Sequence, residues 1–226
     1  MLAHVFIACI VLFWLAVACI FVSLLPVGTR SILYGAHCFF IHPFFVFRAW
    51  WKMYGFPRQW QLYACFLLHD VGYWGLPNTD GPEGEKHVLR GAWLVHRLCD
   101  RRRGGSHHPM YWHDVCINHS RYWAKQHNHR PSRLCYADKY AMLITPRWLY
   151  LPMVYLTGEW REYAAAHAHE TGIDAGKIDI RTWYAITRNY MRAWYDAHKE
   201  GADDTWTKAK VGSNSIRPQP SASRPQ

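Results

Sequence analysis

Apolar positions along this chain fall into two kinds of block. The first is continuous: from Val5 to Leu25 the chain reads VFIACIVLFWLAVACIFVSLL, without a charge, a glycine or a proline. A helix needs ~20 consecutive apolar residues to cross a bilayer. No Lys or Arg precedes the run, and Pro26-Val27-Gly28 is a poor cleavage site. The pattern therefore predicts an uncleaved transmembrane anchor over residues 1–27 rather than a signal peptide. Arg30, Arg48, Lys52 and Arg58 follow the run. That positive flank predicts a single-pass membrane protein whose remaining chain is cytoplasmic. Segment 31–47, SILYGAHCFFIHPFFVF, is also very apolar. Its histidines and Pro43 argue against a second span, and it is expected as a core helix or a helix on the membrane surface.

The second kind of block recurs with helical spacing, and no alternation of period two persists long enough to suggest a sheet. Helices are expected over 43–54, 58–70, 85–98, 111–126, 132–144, 158–170 and 179–199. Pro57 suits the start of the second, and Asp179 is the expected N-cap of the last, whose apolar face holds Trp183, Ile186, Tyr190 and Trp194. Residues 76–82 and 101–106 are loops by composition. The apolar stretches 140–144 and 148–156 are separated by Thr145-Pro146-Arg147. They are expected to pack in the core, with bilayer docking through Trp148, Tyr150 and Tyr155 as the alternative. The expected organisation is an all-α domain over 28–200 and a polar tail over 201–226. From Gly212 the tail reads GSNSIRPQPSASRPQ, a composition that does not fold.

Composition narrows the partners. Half of the 226 residues are hydrophobic and 16% are aromatic, enough for a substantial core. The formal net charge of +10 favours anionic partners without choosing among them. Seven cysteines are scattered with no CxxC pair, which favours buried thiols in a reducing compartment over a disulfide scaffold. No Walker loop, nucleophile elbow or dinucleotide fingerprint is present, and charge alone does not make a specific nucleic-acid binder.

The chemistry is concentrated in histidines and carboxylates. His69-Asp70 closes the apolar run Leu62–Leu68 and precedes a turn-like VGYWG. An ionisable pair at the end of a buried helix is costly unless something coordinates or neutralises it. His87, His119 and Asp138 follow, each within its own helical segment. Imidazoles and carboxylates arriving from separate helices are what a metal centre needs. A further upstream ligand is supplied by His42 or by His37. His42 precedes a proline, which moves it out of the α region and to a helix start. A second His-Asp dipeptide, His113-Asp114, lacks the buried lead-in and is expected on the surface of its helix.

In this order the phrases LLHDVGYWG, HVLRGA, INHS and LCYADKYAM resemble the HD superfamily of metal-dependent phosphohydrolases, over residues 30–145. The resemblance implies an all-α HD-domain bundle around one or two divalent metals. The one-metal form would use His42, His69, Asp70 and Asp138; in the two-metal form His87 and His119 join and Asp70 bridges. His and carboxylate donors suit Mn, Fe, Co, Ni or Zn. Such a metal activates water at neutral pH for attack on a phosphate ester, with Asp70 and Lys139 as the residues at the chemistry. The expected substrate is a phosphorylated small molecule, a nucleotide among the candidates. Lys139, Arg121, Lys125 and Arg133 are the basic residues expected to compensate its charge. Glu83, four residues before His87, is expected to orient that histidine or a water. Two other readings share the same residues: a di-iron oxygenase on an HD-type scaffold, and a membrane-tethered metal-binding module without turnover.

Overall fold

The computed structural model describes residues 2–100, 109–171 and 175–199. The basic loop 101–106 and the polar tail 201–226 lie outside the described residues. Those described are helical, with no strand among them. In chain order the helices are α1 (Leu2–Ser23), α2 (Val27–Tyr34), α3 (His42–Tyr54), α4 (Trp60–Leu68), the single turn α5 (Gly81–Gly84), α6 (His87–Val95), α7 (Tyr111–Ile117), α8 (Arg121–Gln126), α9 (Arg133–Ile144), α10 (Arg147–Thr157), α11 (Glu159–Thr171) and α12 (Ile180–His198).

Local chemistry sets several of these boundaries. Pro43 occupies the first turn of α3, where a missing N–H costs nothing. Thr145 takes extended backbone before Pro146, which ends α9 at Ile144. The Asp179 carboxylate accepts from the backbone N–H groups of Arg181 and Thr182 and starts α12 as expected. The segment 31–47 is not one helix: α2 ends at Tyr34 and α3 begins at His42. The expected helix 111–126 is two helices, because the Ser120 hydroxyl accepts from Trp123 N–H and caps a new start. Stretch 148–156 forms α10, with Tyr150 buried and Trp148 and Tyr155 exposed.

One expectation is corrected. Most of the Val5–Leu25 run does form a helix, which ends at Ser23, and most of its described apolar side chains are exposed. Spanning requires ~20 consecutive apolar positions. Among the described residues no helix is long and apolar enough to cross a membrane. The transmembrane anchor, and with it the single-pass membrane localisation, is therefore not supported.

The core is centred on α3 and α9. Val46 and Ala49 of α3 and Leu134, Ala137 and Ala141 of α9 are all fully buried. Alanines on both helices let the two backbones approach closely. Cys65 and Phe66 of α4, Val88, Ala92 and Val95 of α6, and Cys116 of α7 pack on this pair. Each such aliphatic or aromatic side chain contributes on the order of 1.5–3 kcal/mol by burial. Cys38, Cys65, Cys99, Cys116 and Cys135 are buried, and no disulfide forms among the described residues. A smaller cluster joins Tyr150 and Val154 of α10, Ala164 of α11 and Trp183 and Tyr184 of α12. The two clusters flank the centre described next.

Candidate metal centre

Five stretches of chain deliver six side chains to one point. His42 is the first residue of α3 and His87 the first of α6. His69-Asp70 follows the last residue of α4, in the turn before Val71–Tyr73. His119 sits in the break between α7 and α8, not within a helix as expected, and Asp138 lies mid-way along α9. Except for Asp138, every donor stands at a helix terminus, where backbone can bring it close without crowding from a preceding turn.

Glycine makes the closest of these approaches possible. A Cβ built on Gly91 of α6 would lie 2.5 Å from the His69 carbonyl oxygen and 2.6 Å from that of Leu68. A Cβ on Gly72 would strike the His87 backbone. These two positions let α6 lie directly against the end of α4, so that His87 reaches Asp70.

The Asp70 carboxylate divides the donors into two groups. Its Oδ2 lies 3.0 Å from His69 Nε2 and 3.3 Å from His42 Nε2, and His42 Nε2 lies 3.0 Å from Asp138 Oδ1. Its Oδ1 lies 3.4 Å from His119 Nε2 and 3.7 Å from His87 Nε2. Within each group the donor atoms lie within 4.8 Å of one another.

Backbone carbonyls orient the rings. His69 Nδ1–H donates to Phe66 O at 3.0 Å and Cys65 O at 3.2 Å. His87 Nδ1–H donates to Gly84 O at 2.7 Å, and His119 Nδ1–H to Cys116 O at 2.5 Å. A carbonyl can only accept, so each Nδ1 carries a proton and each ring turns its Nε2 to the centre. The Tyr73 ring stacks on His87 at 4.0 Å and fixes its plane.

This arrangement brings ring nitrogens face to face. His87 Nε2 faces His119 Nε2 at 3.1 Å, and His42 Nε2 faces His69 Nε2 at 3.3 Å. Burial, with His119 adjacent, holds His87 well below the ordinary histidine pKa and therefore neutral. Two imidazole nitrogens at that distance repel unless a proton or a metal cation lies between them. Two donors bound to one ion at ~2.1 Å stand about 3.0–3.4 Å apart at tetrahedral or octahedral angles. The donor set fits one or two divalent ions, with borderline transition metals favoured by the nitrogen content.

Electrostatics favours the carboxylate forms. Burial alone would raise the Asp70 pKa, but the charges of His69 and His37 and hydrogen bonds from His119 and His42 hold it well below the usual range. Asp138 is likewise held low, by Lys139 and His42 against burial. Burial would lower His42, but hydrogen bonds to Asp138 and Asp70 outweigh it and lift the pKa to about 9. A metal must displace that proton to bind there.

The remaining expected residues separate. Lys139 Nζ donates to Asp138 Oδ2 at 2.8 Å and lines the adjoining cavity. Arg121 is buried on the cavity wall, over the Trp194 ring. Lys125 and Arg133 do not line it; Arg133 is exposed and lies over the Tyr54 ring. Glu83 does not reach His87: it is exposed and paired with Lys86 at 2.7 Å. The carboxyl that faces the cavity is Glu85, which accepts from Ser120 Oγ at 2.6 Å. Glu83 and Glu85 are only two residues apart and both precede α6, so spacing alone did not choose between them. His113-Asp114 stays apart on α7, bonded to itself at 3.0 Å.

His37 has a different role from the one weighed for it. It joins neither donor group. Its Nδ1 lies 2.8 Å from Ser31 Oγ and 3.7 Å from Glu159 Oε2. Glu159 is fully buried and accepts from Ser31 Oγ, Ala36 N–H and Thr157 Oγ1. This knot ties the start of α11 to the α2–α3 connection that leads into His42. Glu159 carried no sequence signal, since its partners Ser31 and Ala36 lie more than a hundred residues away.

Fold and site together define an all-helical protein with a buried His/Asp cluster that could hold metal. No protein-family model, curated protein or solved structure matches the chain.

Proposed function

We propose that the chain is an HD-type, metal-dependent phosphohydrolase. The observation that carries this reading is the Asp70 carboxylate, with one oxygen toward His42 and His69 and the other toward His87 and His119. Bound divalent metals would supply hydroxide at neutral pH and offset charge on a phosphoryl group. His42, His69, Asp70 and Asp138 would hold one ion, and Asp70, His87 and His119 the second.

The chain's own residues supply the rest. Asp138 outweighs burial and raises the Lys139 pKa, so the amine stays a cation beside the centre. Lys139 and Arg121 are then positioned to draw a phosphoryl oxygen toward the donor cluster. The walls around His87 and His119 are buried, which limits water to the cavity mouth and strengthens these interactions.

The test is elemental analysis of the purified full chain, then phosphate release from a broad ester panel with Mn²⁺ under anaerobic conditions. Asp70→Ala should remove both ions and lower turnover by at least about a hundredfold. Turnover surviving that change would sink the assignment. Dioxygen consumption with iron and no phosphate release would replace hydrolysis by the oxygenase reading.

A further inference from the structure

The geometry points to a substrate with one phosphoryl group on a small, largely apolar body, rather than a nucleotide. This rests on the phosphohydrolase reading and concerns the chamber behind the metal centre. The cavity has a volume of about 230 Å³ and reaches from Asp70 and Asp138 into a space between α9, α10, α11 and α12. Met142, Tyr150, Met153, Tyr163, Trp183 and Met191 line that space. Three thioethers and three rings make an adaptable, apolar wall. The volume lies below the ~300–1,000 Å³ of usual ligand pockets, which suits a single ring or a short chain.

The charge on the walls points the same way. Besides histidines, Lys139 and Arg121 are the basic residues on the described lining, and Asp80 and Glu85 also face the cavity. Lys139 is already bonded to Asp138. Beyond the metal donors a triphosphate would meet as many acids as bases, Asp80 and Glu85 against Lys139 and Arg121, whereas a single phosphoryl group is matched by the centre and Lys139.

A nucleobase is read by several hydrogen bonds along its edge. Among the described residues the lining holds no Asn or Gln; its polar groups on this side are the hydroxyls of Thr145, Thr187 and tyrosines, and Thr145 donates to Ala141 O at 2.8 Å. The indole Nε1–H of Trp183 is buried without a partner.

The experiment uses the metal-loaded full chain and a series of linear alkyl phosphates from ethyl to hexyl, with phenyl phosphate, glycerol phosphate, dAMP and dATP for comparison. The specificity constant should rise about fourfold per added methylene. Propyl phosphate should exceed glycerol phosphate, which has the same carbon count, by about tenfold or more. Calorimetry with the matching alkyl phosphonates, which resist hydrolysis, reads the chamber independently of turnover. Met191→Gln should flatten the chain-length slope while metal content is retained.

Equal turnover of nucleotides or glycerol phosphate, with no chain-length slope, would overturn the inference and leave the hydrolase reading standing. Phosphonate affinity that climbs with chain length in a protein that hydrolyses nothing would leave the chamber as inferred and remove the hydrolase. A slope that Met191→Gln does not change would place the chain elsewhere and overturn the inference.

Discussion

The carboxylate of Glu159 shows how a single buried residue can tie together distant parts of the chain. Burial alone would raise its pKa; His37, through its hydrogen bond and charge, and the donors Ser31 and Ala36 N–H bring it below the 4.5 of a free glutamate. Its stabilising contribution is therefore full above the unfolded value and is lost as pH falls through the lower folded value. Glu159→Gln keeps the shape but removes the charge that three donors serve. It should cost on the order of 2–3 kcal/mol at neutral pH. Denaturant unfolding should show the gap between wild type and variant shrinking as pH falls below 4.5; a gap independent of pH would refute the ionised form. Residues such as His69, Asp70 and Asp138 were legible in the sequence because an ionisable group amid apolar neighbours needs a reason. Glu159 was not, because it sits at a helix start in polar surroundings and its partners are distant.

At the scale of elements, legibility followed the strength of local signals. Helices α3, α9 and α12 start within one residue of expectation, since Pro43 and Asp179 mark two of those starts and apolar spacing marks the third. The 111–126 helix was drawn unbroken because its apolar spacing carries through Asn118-His119-Ser120. The break depends on a Ser120 cap and on Ser132 N–H donating to Asn118 O at 2.9 Å, a contact that periodicity does not contain. That break frees His119 to face His87. The α4–α6 contact is equally decisive, and it yields a test. In Gly91→Ala the new methyl meets backbone oxygens of His69 and Leu68, so α6 must move away from α4. Overpacking of this kind costs about 1–3 kcal/mol. His87 rides on α6 while His42, His69 and Asp138 do not, so on the proposed two-ion reading the variant should fold with one ion per chain in place of two. Elemental analysis checks the ratio; two ions retained in Gly91→Ala would show that His87 does not depend on this contact.

For the whole molecule, the centre acts as a clasp. Its donors span residues 42 to 138 and come from five stretches of the chain. Without a cation, the facing His87 and His119 nitrogens repel and His42 holds a proton between two carboxylates. A ligand that binds only the assembled state stabilises it by mass action, about 2.7 kcal/mol when its free concentration is a hundredfold above Kd. For a chain of this size that corresponds to a rise in Tm of about 5–10 °C. Chelation should therefore lower the melting temperature of the full chain by that amount, and Mn²⁺ should restore it. Asp70→Ala, which lacks the carboxylate shared by both donor groups, should melt at the same temperature with and without Mn²⁺. The α10–α12 side, with its separate cluster around Trp183 and Tyr150, lies beyond the donors. Hydrogen exchange should accordingly show protection gained on metal addition at α4, α6 and the α7–α8 break, and little change in α10. A melting temperature indifferent to chelation would mean that the six side chains are held together by packing alone.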